Sequence, residues 1–190
     1  MIIGIAGPTA SGKTTVAHFL EKERSALRVR YSAILFELAR EKGIDSEDKE
    51  VLQKFFASER EERGESFLAE EVINRVALLH PQFLVIEGNR RLVDIDGLKR
   101  IATSRKEELL MVYIDAPTAL RLERYNRRLK DADKKPVNAK AFAVLESAPA
   151  EDELEKVREI IKKEGIYINT ETISIDDTMR AVYEAVEAKK

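Results

Sequence analysis

The sequence predicts an α/β fold of three layers, in which a parallel sheet of about five strands is covered by helices on both faces. Three observations predict it. Apolar, β-branched runs of strand length alternate with stretches of helical periodicity along all 190 residues. The first such run leads straight into Gly7-Pro-Thr-Ala-Ser-Gly-Lys-Thr14, which completes the phosphate-loop pattern Gly-x-x-x-x-Gly-Lys-Ser/Thr without a mismatch. No repeat or low-complexity linker interrupts the alternation, so residues 1–190 are expected to form one domain, at most with a small mobile insertion.

Taken in order, Met1 to Ala6 is an apolar run that reads as a strand, and Thr15 to Glu23 reads as a helix through Val16, Phe19 and Leu20. Strand, glycine-bounded loop and helix together are the context the loop motif requires. Leu27 to Tyr31 is a short second strand. Ser32 then caps a helix with Ile34, Leu35, Leu38 and Ala39 on one side and Gly43 near its end. Leu52 to Arg63 and Phe67 to Leu79 are amphipathic helices parted by Gly64, and Pro81 closes the second. Phe83 to Ile86 is a buried strand that ends in Glu87-Gly88, and Leu109 to Ile114 is another that ends at Asp115. Pro117 opens a helix at a favoured early position. Ile166 to Ile168 is the last strand, followed by a helix from about Asp176 to Ala188. His18 and His80, the two histidines, fall on helices in this reading and are expected to be structural.

Composition narrows the classes. A chain 44% hydrophobic and 36% charged suits a soluble globular protein. No apolar run approaches the roughly 20 residues needed to span a bilayer. The N-terminal apolar stretch is too short for a secretory signal, which makes a cytoplasmic location the expectation. Zero cysteines exclude disulfides, thiolate metal sites and cysteine nucleophiles. A net charge of −2 gives no strong nucleic-acid signal. Monomer and homodimer both stay open.

Chemistry is expected at the carboxyl ends of the strands, where ligands of open α/β sheets bind. Gly7, Pro8, Thr9, Ala10, Ser11, Gly12, Lys13, Thr14 and Thr15 would cradle the phosphates of a nucleoside triphosphate through backbone N–H groups and the helix N-terminus. Lys13 would neutralise the β- and γ-phosphates, and the Thr14 hydroxyl would hold Mg²⁺. Glu87, an acid at a central strand tip, would hold the metal through water, although Asp is commoner at that point. Asp115 reads as the start of a helix rather than a metal ligand. Arg90 and Arg91 follow the strand directly, within reach of a second phosphate. Arg121, Arg124 and Arg128 share one helix face, with Lys130, Lys134 and Lys135 in the polar segment behind them. Guanidinium groups clamp phosphate oxygens in pairs, so this stretch, about 121–146, is expected to be a lid.

These residues resemble the adenylate-kinase-related branch of the nucleoside monophosphate kinase-like phosphate-loop kinases. The matching pieces are the loop, Tyr31-Ser32 opening a helix that ends Leu-Ala-Arg-Glu-Lys-Gly, and Arg60 to Gly64 before Phe67-Leu68-Ala69. Val85 to Arg90 is similar to that family's Asp-Gly-x-Arg segment, and Arg121-Leu-Glu-Arg124 with Arg128 to its lid arginines. Ile168-Asn169-Thr170 resembles its adenine-side loop. The resemblance implies ATP and Mg²⁺ as cofactors and phosphoryl transfer to a small phosphorylated acceptor, first a nucleoside or deoxynucleoside monophosphate. It implies acceptor-binding helices over about 32–80, with Ser32, Arg60, Arg63 and Arg90 at the acceptor. Lys13, Arg124 and Arg128 would be catalytic, and Asn169 would lie beside the nucleotide. Where the family has Asp and then Arg in the second helix, this chain has Ala33 and Phe36, which bears on acceptor recognition. A more distant likeness is to dephospho-coenzyme A kinases. Two other classes stay open, a regulatory or nucleic-acid-linked NTPase and, because of Ala33 and Phe36, a nucleotide-binding protein without turnover.

Overall fold

The computed structural model describes residues 1–45, 49–147 and 152–189. Its elements are β1 (Ile2–Ala6), α1 (Lys13–Arg24), β2 (Leu27–Arg30), α2 (Tyr31–Glu41), α3 (Lys49–Arg63), α4 (Phe67–Val76) and β3 (Leu84–Asn89). They continue as α5 (Leu92–Arg105), β4 (Leu109–Asp115), α6 (Thr118–Asp131), α7 (Ala139–Glu146), α8 (Leu154–Glu164), β5 (Ile166–Asn169) and α9 (Ile175–Glu187). The strands form a single five-stranded sheet in the order β2-β3-β1-β4-β5. Every neighbouring pair is parallel. The expected α/β architecture is therefore present, and parallel pairing brings all the strand tips to one edge.

Both faces of the sheet are covered, which is why its strands read as near-continuous apolar runs. Side chains alternate across the sheet. Ile2, Leu84 and Ile86 join the core beneath α2, α4, α5 and α8, with Phe67, Val72, Leu98 and Ile161. Ile3, Ile5 and Val85 join the opposite core with Val16 and Leu20 of α1 and Val182 and Val186 of α9. The approach of α5 to β1 is close. A Cβ on Gly4 would stand 2.2 Å from a methyl of Leu98.

Several local expectations change. Ser32 is not a cap: α2 starts two residues earlier than expected, with Arg30 as its N-cap and no side-chain cap bond, so Ser32 is exposed in the first turn. His80 lies in the coil after α4 rather than on a helix, because that helix stops at Val76. β3 runs on to Asn89, past Gly88 at φ 95°, with an irregularity in its register against β1. Three helices absent from the sequence reading are α5, α7 and α8. Each carries a usable signal, such as Leu154, Val157, Ile160 and Ile161 at helical spacing in α8.

Candidate functional site

The phosphate loop leaves β1 at Ala6 and turns at Gly7, φ 136°. A Cβ on Gly7 would lie 2.1 Å from the Ile114 carbonyl oxygen of β4, so a side chain there would push the two strands apart. Gly12, φ 116°, is the left-handed N-cap that starts α1. Between them Ser11 N donates to Pro8 O, and Lys13 Nζ reaches back to donate to the same carbonyl at 2.6 Å. The ammonium is thereby held over the loop. Thr14 and Thr15 are exposed in the first turn of α1, which carries no acidic residue to oppose an anion. Ser11 Oγ is buried without a hydrogen-bond partner.

Glu87 stands in the neighbouring strand, in register with Ile5 on one side and Arg30 on the other. It is 2% exposed, and neither carboxylate oxygen has a hydrogen-bond partner among the described residues. The Arg28 guanidinium is 3.8 Å away. A buried carboxylate left so is costly unless a ligand completes it. With the Thr14 hydroxyl it would supply an all-oxygen donor pair, the chemistry that suits Mg²⁺, an ion usually held by one or two protein ligands plus phosphates. Among the described residues no group of three or more acids or histidines competes for a metal. Asp115 is occupied as a local acceptor, from Ala116 N at 2.8 Å and Tyr167 Oη at 2.8 Å.

Beside the loop opens a cavity of about 680 Å³. Thr9 of the loop, Gly88 of β3 and Arg90 just after that strand, and Tyr125 of α6 line it. Leu35 and Phe36 of α2, Leu52 and Phe56 of α3 and Leu68 of α4 form an apolar wall. Ser32, Ala33 and Gln53 also line it. The turn that carries Arg90 is tied down by Asp94, whose carboxylate accepts from Arg90 N at 2.8 Å and Arg91 N at 2.9 Å. Burial pushes the Asp94 carboxyl up to about 6, against the pull of those two N–H groups and the neighbouring guanidinium charges. The Tyr31 hydroxyl, itself buried, hydrogen-bonds the same carboxylate, and its pKa is raised first by burial and then by the Asp94 charge.

Arg60 and Arg63 do not line this cavity. Arg60 pairs with Glu65 at 3.3 Å, while Arg63 is taken up by Glu59 at 3.3 Å and by Glu71. Glu59 is 2% exposed. Burial pushes its carboxyl up, but hydrogen bonds and charge from Lys42 and Arg63 outweigh that and hold it below the ordinary range. Arg91 is held by the Glu65 carboxylate and donates to the Glu65 carbonyl at 3.0 Å.

Of the four α6 arginines, the three on the expected lid face have three different situations. Arg121 is buried, ion-paired with Glu146 of α7 and bonded to the Ala116 carbonyl at 2.8 Å. Arg124 donates to Ser11 O at 3.1 Å and to Thr170 Oγ1 at 2.9 Å, joining the phosphate loop to the β5–α9 turn. Arg128 is exposed, its guanidinium 6.0 Å from the Tyr125 ring centre. Asn169 Oδ1 accepts from Glu171 N at 3.0 Å and so shapes the same turn. Beyond α6, Asn126 clips Val137 through two hydrogen bonds of 2.8 and 2.9 Å, and Phe142 is fully buried against Tyr125.

Residues 3–146 match the family described as the AAA domain. The chain belongs to that family. A cytidylate kinase of Bacillus licheniformis is 25% identical to this AAA domain protein over 228 aligned positions, covering 100% of this chain and 97% of the relative. The crystal structure of a candidate kinase from Chloroflexus aurantiacus superposes with a TM-score of 0.57 at 18% identity, covering 100% of this chain and 97% of that one. That likeness is one of fold. The resemblance to nucleoside monophosphate kinase-like phosphate-loop kinases is thus borne out: the protein is a kinase-like phosphate-loop domain built for nucleotide use. Among the described residues no helix is long and apolar enough to cross a membrane.

Within this AAA domain the sequence reading missed Tyr31, Glu65, Asp94, Arg121 as an anchor, and Thr170 as the partner of Arg124. An Asp three residues after the N-cap was a visible capping signal for Asp94. The partners of Arg121 and Arg124 lie far off in sequence and left no local sign.

Proposed function

We propose that the protein is an ATP-dependent, Mg²⁺-requiring phosphotransferase whose acceptor is a nucleoside or deoxynucleoside monophosphate. The observation that carries this reading is the position of the 680 Å³ cavity, which runs from Thr9 of the phosphate loop to the apolar wall of α2, α3 and α4. A nucleotide there would point its phosphate at Thr9 and Arg90 and its base at Phe36 and Phe56. Donor and acceptor phosphates would then meet at one strand edge, which is the in-line arrangement phosphoryl transfer needs. The cytidylate kinase likeness supports the same acceptor class.

In this mechanism the loop amides and Lys13 hold the donor phosphates and neutralise the charge that develops between donor and acceptor. Thr14 and Glu87 would hold Mg²⁺, which would supply positive charge to the transferring phosphoryl group. Arg90 fixes the acceptor phosphate, and the apolar wall with Tyr125 excludes water from the transfer. Arg124 steadies the loop through the Ser11 carbonyl, and Arg128 would approach the phosphates when the lid moves. No side-chain nucleophile is required.

A coupled ADP-release assay over a panel of nucleoside monophosphates and dephospho-coenzyme A tests the reading. Monophosphate-dependent ADP release is expected. Release that ignores every acceptor would leave an NTPase, and release driven by dephospho-coenzyme A alone would change the acceptor.

A further inference from the structure

We infer that Arg30 is the second guanidinium of the acceptor-phosphate clamp, acting with Arg90. The inference rests on the monophosphate reading above and adds a residue to it. Four arginines line the cavity, Arg30, Arg40, Arg90 and Arg91. Arg91 is neutralised by Glu65. Arg40, at the far end of α2 from Tyr31, stands 3.6 Å from Asp45 and 5.9 Å from the Phe36 ring centre. Arg30 differs from both: its guanidinium has no hydrogen-bond or ion-pair partner among the described residues. It is exposed at the tip of β2, one residue before Tyr31 and in register with Glu87 of the adjacent strand, three residues short of Arg90.

That position lines the same cavity as Thr9, Gly88 and Arg90, on the strand next to the one that carries Arg90. A monophosphate carries nearly two negative charges, and the apolar wall of the cavity offers them no solvation. One guanidinium leaves the dianion half neutralised, whereas two can grip it from separate strand tips. Arg60 and Arg63 are engaged elsewhere and cannot fill that role without breaking ion pairs with Glu65, Glu59 and Glu71. Arg30 breaks nothing by turning inward, since its side chain makes no cap bond to α2.

The test is calorimetric binding of ribo- and deoxyribonucleoside 5′-monophosphates to wild type, Arg30→Ala and Arg30→Lys, with the parent nucleosides as phosphate-free controls. Arg30→Ala should weaken the bound monophosphate about 10- to 150-fold, the loss of one charge-assisted contact, with nucleoside and Mg²⁺–ATP affinities unchanged. Arg30→Lys should fall between, keeping the charge without the fork. The thermal midpoint of Arg30→Ala should match wild type. Equal monophosphate binding by wild type and Arg30→Ala overturns the inference alone, as does an equal loss for the nucleoside or for ATP. A wild type that binds no monophosphate overturns the acceptor reading and this inference together.

Discussion

At the residue scale the loop and the strand tips differ in what the sequence shows of them. Gly7 to Thr14 is legible because its chemistry is local, a turn whose glycines meet the backbone of the next strand. Glu87 is legible as a strand-end acid but not as a buried one. Its burial without a hydrogen-bond partner, against only the 3.8 Å Arg28 ion pair, predicts that Glu87→Gln raises stability by about 1–3 kcal/mol while reducing Mg²⁺-dependent turnover. Urea unfolding paired with a metal titration of activity checks both halves. Lys13→Ala should abolish turnover, because its ammonium sits over the loop where donor phosphates would lie; near-normal turnover would remove it from the site. Asp94 gives a pH signature. Its folded carboxyl, pushed up to about 6, binds protons more readily than the ordinary value of 3.8. The stability this group contributes is therefore fully present below about pH 4 and is lost as pH rises through 6, a change on the order of 3 kcal/mol. Urea midpoints between pH 4 and 7 should show a falling component in wild type that Asp94→Asn removes. Arg60 and Arg63 show the opposite limit of sequence reading. Their carboxylate partners are close in the chain, yet which pairs close depends on how α3 meets α4.

At the element scale the central strands β3, β1 and β4 were readable because burial on both faces makes each a nearly unbroken apolar run, whereas the edge strand β2, Leu-Arg-Val-Arg, has no buried residue. The missed helices are those with less help from neighbours. α5 has Gly97 mid-way and a first turn rich in β-branched and acidic residues, and α7 is eight residues long. What fixes α7 is tertiary: Phe142 under Tyr125, Arg121 on Glu146, and the Asn126 clip on Val137. Residues 132–136 between α6 and α7 are exposed throughout. Their amides should exchange quickly in the free protein and become protected only with both nucleotides present, as a lid requires. Equal exchange with and without ligands would make the segment a plain surface loop. Phe142→Ala should cost about 3–5 kcal/mol if α7 stays folded, and less if α7 simply detaches. Hydrogen exchange over 139–146 separates the two results.

At the scale of the whole molecule, a ligand that binds only the folded chain adds stability by mass action. Mg²⁺–ATP at a hundred times its Kd adds about 2.7 kcal/mol, which for a chain of this size raises the thermal midpoint by about 5–10 °C. Scanning fluorimetry should show that rise in wild type and not in Lys13→Ala. The strand order has a separate consequence, for the order in which the chain is made. β1 leaves the ribosome before the other four strands of its sheet and is the middle strand of the finished sheet. Its partners arrive only with Leu84 to Asn89 and then Leu109 to Tyr113. At roughly 5–20 residues per second, Ile2-Ile-Gly-Ile-Ala6 waits on the order of 5–15 s with both edges bare. The most apolar strand is thus the longest exposed during synthesis, and the phosphate loop attached to it can take shape only after more than half the chain exists.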